Sequence, residues 1–89
     1  MMIKNSINHK EFVDCYLFGS MIYSETPSDI DVAIVYDKRH VDVYEAIQYR
    51  KDIITWLSES NNMDVDAILL SKEEEKEMEF LANAKHILL

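Results

Sequence analysis

The chain contains one glycine and one proline, Gly19 and Pro27, and both fall between positions 19 and 28. Glycine and proline mark the places where a backbone turns sharply or enters conformations that other residues avoid. Residues 19–28 are therefore the one passage where exceptional backbone geometry is expected. With 89 residues the sequence suits one small domain spanning 1–89. A core of that size is marginal, so burial against a partner or self-association is expected. Apolar residues make up 48% and charged residues 29%, a composition that folds rather than stays disordered.

The net charge of −8 narrows the partners. Such a surface repels phosphate backbones, so free-standing nucleic-acid binding is not expected. It suits divalent cations or a basic protein. No apolar run is long enough to span a membrane. The start, Met1-Met2-Ile3-Lys4-Asn5, lacks the charged and apolar regions of a signal peptide. A cytoplasmic location and no membrane association are expected. Cys15 is the single cysteine and sits in the apolar run Val13 to Phe18, so a buried free thiol is expected. His9, His40 and His86 show no zinc-like spacing and read as surface or structural residues.

The pattern predicts an α/β (α+β) domain with a small mixed β-sheet and helices packed on it, in the order α-β-β-α-β-α. Residues 5–13 read weakly as a helix. Cys15 to Phe18 reads as a buried strand stopped by Gly19. Residues 19–28 form a loop or short helical turn, and Ile30 to Tyr36 is a β-branched strand. Residues 41–59 are the clearest helix, with Val43, Ile47, Ile54 and Leu57 on one stripe that Arg50 interrupts. Met63 to Leu70 is a third strand. Ser71 and Glu74 then form a capping-box pattern, opening a helix expected to run to about residue 88 with Phe80, Leu81, Ala84, Ile87 and Leu88 as its apolar face. Trp56 and Phe80 are expected in the core or an interface. Ile87-Leu88-Leu89 suits either a partner surface or the core.

Strand side chains alternate between faces. In the second strand Asp29, Asp31, Ala33 and Val35 point one way, and Ile30, Val32, Ile34 and Tyr36 the other. Two carboxylates thus stand together at the strand entrance. Side-by-side carboxylates raise each other's pKa unless something neutralises them. A divalent cation does so, and Mg²⁺ takes hard oxygen ligands of this kind. In the third strand Asp64, Asp66, Ile68 and Leu70 share a face. If the two strands are neighbours, Asp66 comes near Asp29 and Asp31, and three carboxylates are enough for a two-metal phosphoryl-transfer site. Gly19, without a Cβ, lets a phosphate approach the backbone, and Ser20 offers a hydroxyl and an N–H.

Leu17-Phe18-Gly19-Ser20, a spacer, and Ser28-Asp29-Ile30-Asp31-Val32 together resemble the signature of the DNA-polymerase-β-like nucleotidyltransferase superfamily. In length and order the chain is most similar to the minimal nucleotidyltransferases, over roughly residues 12 to 88. The resemblance implies that Asp29 and Asp31 bind both metals and that an acid on a later strand helps activate the attacking hydroxyl. Val65-Asp66-Ala67-Ile68 matches that element, so the role passes to Asp66, with Asp64 as the competing choice. Gly19 and Ser20 would be nucleotide-binding. The segment Met21-Ile22-Tyr23-Ser24-Glu25 departs from the pattern, having neither the basic residue nor the second glycine of many minimal members.

The implied activity is Mg²⁺- or Mn²⁺-dependent transfer of a nucleoside monophosphate, AMP from ATP or its equivalent from another NTP, to a hydroxyl acceptor. The implied partner is a HEPN-type toxin, with this chain as antitoxin. The alternatives are a catalytically weak or inactive binding module that neutralises a partner, or a subunit of a larger transferase.

Overall fold

In the computed structural model, residues 7–89 are described. They form a four-stranded mixed sheet of order β3-β2-β1-β4. Its strands are β1 (Val13–Phe18), β2 (Asp29–Tyr36), β3 (Asp64–Ser71) and β4 (His86–Leu88). The helices are α1 (Ser20–Tyr23), α2 (Val43–Asn61), α3 (Lys72–Met78) and α4 (Phe80–Asn83). The expected α/β architecture is present. No helix among the described residues is long and apolar enough to cross a membrane.

β1 and β2 are antiparallel, and β2 and β3 are parallel. A parallel pair needs a long crossover, and α2 supplies it. Asp42 caps the start of α2, its side chain accepting from the Glu45 N–H at 2.9 Å. Asn62 ends the helix in the left-handed conformation, φ 51.

The helix buries Ala46, Tyr49, Ile53 and Leu57. This corrects the expected stripe. Leu57 is shared, but Val43 and Ile47 face solvent and Ile54 is half-buried. The buried line Ala46, Tyr49, Ile53 and Leu57 is apolar throughout, whereas the expected line carries Arg50, a charge that would be costly to bury unpaired. α2 packs on Val13, Cys15, Leu17, Ile30, Val32, Ile34 and Tyr36, with Val65, Ala67 and Leu69 beside them. Ile53 and Leu57 have no exposed surface, and full burial of such a side chain contributes about 1.5–3 kcal/mol. Trp56 packs against this core and lies edge-on to Tyr49. Burial pushes the Cys15 thiol up to about 12.

Two further expectations are corrected. Residues 7–12 are not helical, and Phe12 adopts a positive φ of 66 before β1 begins; positions 5 and 6 of the expected helix lie outside the described residues. The last helix does not run to residue 88. It opens with the expected capping box: the Ser71 hydroxyl accepts from the Glu74 N–H at 3.1 Å, and the Glu74 carboxylate accepts from the Ser71 N–H at 2.9 Å. It then breaks at Glu79, whose φ is 50. The chain resumes as α4 and finishes as β4, antiparallel to β1. Backbone pairing explains the break: β1 has one edge free after pairing with β2, and β4 satisfies its N–H and C=O groups. Ile87 and Leu88 are exposed, whereas Leu89 is buried and donates its N–H to Cys15 O at 2.8 Å.

Candidate active site on the open face of the sheet

Paired residues of neighbouring strands point to the same face. The register pairs Asp29 with Asp64 and Asp31 with Asp66. The four carboxylates therefore occupy the face opposite α2, at the entrance of β2 and β3. Further along the same face Ala33, Val35 and Leu70 are buried, and α3 packs against both strands there. The acids stand beyond that cover. Asp29, Asp64 and Asp66 are exposed and Asp31 is half-buried. A cleft of about 280 Å³ is lined by Asp29, Asp64, Val65 and Asp66. A neighbouring hollow of about 410 Å³, lined by Ser28, Ser58, Asn62 and Met63, shares Asp64 with it.

The electrostatics single out Asp31. Its carboxyl is raised above the ordinary aspartate range, first by burial and then by the charges of Asp66 and Asp29, while the Ser20 N–H acts in the opposite direction. Asp66 acts on Asp31, as expected from its place directly across the parallel pair. Asp64 lies one strand repeat away, opposite Asp29.

Gly19 and Ser20 close the other side. Gly19 has φ 75 and ψ −146, a region open to glycine almost alone. A Cβ there would overlap Oδ2 of Asp31 and come within 3.2 Å of the Asp31 Cβ. Gly19, expected to let a phosphate approach, lets Asp31 sit against the turn. Ser20 donates its hydroxyl to Asp29 O at 3.0 Å, tying the start of α1 to the start of β2. Residues 19–28 so include a short helical turn, one of the two expected forms.

The donor set fits a hard dication: it is all oxygen, anionic, and drawn from neighbouring strands. Among the described residues no three His, Cys, Asp or Glu side chains are gathered tightly enough to hold a metal ion as they stand. Adjacent strands lie about 5 Å apart, so side-chain rotation alone would bring Asp66 toward Asp31.

Two features escaped the sequence reading. His86 shares the carboxylate face, because it pairs with Phe18 and Phe18 pairs with Asp31; with the final segment read as helix, that row was invisible. Buried Asp37, at the far end of β2, holds Arg39 through both its oxygens at 3.2 Å. Arg39 hydrogen bonds hold the Asp37 carboxyl down at about 2. The only signal in the sequence was the short Asp37-Lys38-Arg39 spacing after an apolar strand. His9 and His40 take structural positions, against Leu89 O at 3.1 Å and stacked on Phe12.

A search of curated proteins finds no significant match. A solved structure described as a candidate nucleotidyltransferase aligns with 26% identity and a TM-score of 0.45, covering 99% of this chain and 89% of that one. The sequence model of the family described as Polymerase beta, Nucleotidyltransferase matches residues 2–89. The chain belongs to the polymerase beta nucleotidyltransferase family.

Proposed function

We propose that this domain transfers a nucleoside monophosphate, AMP from ATP, to a hydroxyl acceptor, with Asp29, Asp31 and Asp66 as the metal-binding and catalytic carboxylates. The observation that carries the reading is the pairing of Asp31 with Asp66 on the open face, beside the Gly19-Ser20 turn. Asp29 and Asp31 would hold Mg²⁺ or Mn²⁺, which when bound supplies charge neutralisation at the transferred phosphoryl group. Asp66 orients the acceptor hydroxyl and draws its proton. Gly19 and Ser20 seat the phosphates. The acceptor oxygen bonds to the α-phosphorus, the bond to the pyrophosphate leaving group breaks, and the hydroxyl proton passes toward the Asp66 carboxylate.

The resemblance carried by Leu17-Phe18-Gly19-Ser20 and Ser28-Asp29-Ile30-Asp31 supports the minimal nucleotidyltransferase subtype. The acceptor would then be presented by a partner protein, a HEPN-type toxin that this chain modifies as an antitoxin, or by a second copy. The net charge of −8 suits a basic partner surface. No free nucleic-acid binding, no membrane association and a cytoplasmic location complete the reading.

The test is incubation with ATP labelled on the α-phosphate and Mg²⁺ or Mn²⁺, with and without host lysate, beside the Asp29→Asn/Asp31→Asn variant. Label moving onto a protein or nucleic acid with wild type alone supports the transferase and identifies the acceptor. No transfer under any condition refutes it and leaves a binding module.

A further inference from the structure

β3 lies at one edge of the sheet, and no strand among the described residues pairs beyond it. Proteins guard such edges with lysine, proline, bulges or very short strands. β3 runs for eight residues without lysine or proline, and its unbroken register with β2 has no bulge. Its only charges, Asp64 and Asp66, stand at its entrance, and Ala67-Ile68-Leu69-Leu70 is apolar.

The register fixes which backbone groups of this edge are free. Asp37 donates its N–H to Phe12 O at 3.0 Å, one step beyond the Val13–Tyr36 pair. Hydrogen-bonded pairs alternate along an antiparallel ladder, so Asp31, Ala33 and Val35 bond to β1. Ile30, Val32, Ile34 and Tyr36 therefore turn toward β3. In a parallel ladder each of them bonds the residues on either side of its partner, here Asp64, Asp66, Ile68 and Leu70. The N–H and C=O groups of Val65, Ala67 and Leu69 are left facing the open edge.

α2 adds an apolar ledge above that edge. Its Tyr49 hydroxyl donates to Asn8 O at 2.7 Å, and its Glu45 pairs with Lys10 at 3.5 Å. Residues 8–10 lead into β1, so that flank of the helix faces β1. At 3.6 residues per turn, Val43, Ile47 and Ile54 lie on the opposite flank, toward the outer side of β3, with Arg50 the charge in their line. Val43 is 45% and Ile47 37% exposed, and Ile54 is half-buried. Val65, Ala67 and Leu69, on the same face of the sheet, are only partly buried.

We infer that this edge is a dimer interface, at which a second copy of the chain adds its own β3 antiparallel about a twofold axis at Ala67. In that register Val65 pairs with Leu69 of the second copy, Ala67 with Ala67, and Leu69 with Val65, each pair exchanging both its hydrogen bonds. Every free group is satisfied by the chain's own sequence, which is why the occupant is a second copy. Moving the axis to Ile68 would set Val65 against Ser71, whose N–H is already held by Glu74. Moving it to Asp66 would set Leu69 against Met63, outside the strand. The twofold also brings the two α2 flanks toward each other over the joined strands. On the other face Ile68 of the second copy stands across from Asp66, and its Leu70 across from Asp64, giving the carboxylate cleft a further wall. The dimer follows from backbone geometry and does not depend on nucleotidyl transfer. The net charge of −8 on each copy opposes it, and salt screens that repulsion.

The test is sedimentation velocity of the intact chain from micromolar to millimolar concentration, at low and high salt, with amide hydrogen exchange read by NMR. The variants are Ala67→Pro and Ile47→Lys. Proline is tolerated on an edge strand where the N–H it lacks would face solvent, so Ala67→Pro should keep the monomer fold, as circular dichroism checks. Ile47→Lys alters an exposed side chain and keeps the test open if the proline variant does not fold. Wild type should dimerise with concentration, more tightly at high salt, and exchange should slow at the Val65, Ala67 and Leu69 amides as it does. Each variant should raise the dimer Kd by about tenfold or more. A wild type that stays monomeric to millimolar concentration overturns the interface. A dimer that neither variant weakens, with those three amides unprotected, also overturns it, since the copies would then meet elsewhere.

Discussion

Gly19 and Asp31 occupy one another's space: a Cβ on Gly19 would overlap the carboxylate of Asp31. The turn after β1 and the second acid of β2 are therefore a single steric unit. Gly19→Ala is expected to lower stability by about 1–3 kcal/mol, from the positive φ and from the displaced carboxylate. Urea denaturation of Gly19→Ala, Asp31→Ala and the double variant checks this. The double variant should be more stable than the sum of the single losses implies, because Asp31→Ala removes the clash but not the backbone strain.

Asp31 and Asp37 should give opposite pH signatures. The folded-state pKa of Asp31 is raised, so its contribution to stability is greatest below the ordinary aspartate value of about 4 and is lost as pH rises through the raised pKa. Asp31→Asn should be more stable than wild type at pH 7, and the difference should shrink as the pH falls toward 4. Thermal melts at several pH values in metal-free buffer read this out.

Asp37 runs the other way. Its carboxyl is held at about 2 by Arg39, so the stability it contributes is present above about 4 and is lost as pH falls toward 2. Asp37→Asn should melt below wild type at pH 7 and lose less stability on acidification. Asp37 directly follows the end of β2 that is opposite Asp29, so binding of Mg·ATP by this variant should match wild type in a calorimetric titration.

Ser71→Ala removes one half of the capping box that starts α3. A loss of about 1 kcal/mol is expected, measured by urea denaturation. Because Ser71 and α3 lie beside the acids rather than among them, the proposed transfer should survive in this variant at temperatures well below the melt.

The acids were legible in the sequence because strand alternation is strict: Asp29, Asp31, Asp64 and Asp66 could share a face only if β2 and β3 were neighbours, and they are. Gly19 was legible as the lone glycine, although its contact with Asp31 was not. The α2 stripe was misplaced because apolar residues lie on two adjacent lines of that helix, and periodicity ranks Val43 and Ile47 above the small Ala46 that the sheet admits. β4 was illegible for a different reason. Phe80, Leu81, Ala84, Ile87 and Leu88 suit a helix face, and only the free edge of β1, a long-range demand, turns residues 86–88 into a strand. That error hid the place of His86 on the carboxylate face. The Asp37–Arg39 pair was hidden because nothing local shows that Asp37 is buried.

The most direct measurement is Mn²⁺ binding followed by electron paramagnetic resonance in the presence of a non-hydrolysable ATP analogue, for wild type, Asp31→Asn, Asp66→Asn and Asp64→Asn. The account predicts bound Mn²⁺ in wild type, its loss in Asp31→Asn, clear weakening in Asp66→Asn and near-wild-type binding in Asp64→Asn. Equal Mn²⁺ binding by wild type and Asp31→Asn, or none by wild type, would contradict the assignment of this face as a metal–nucleotide site.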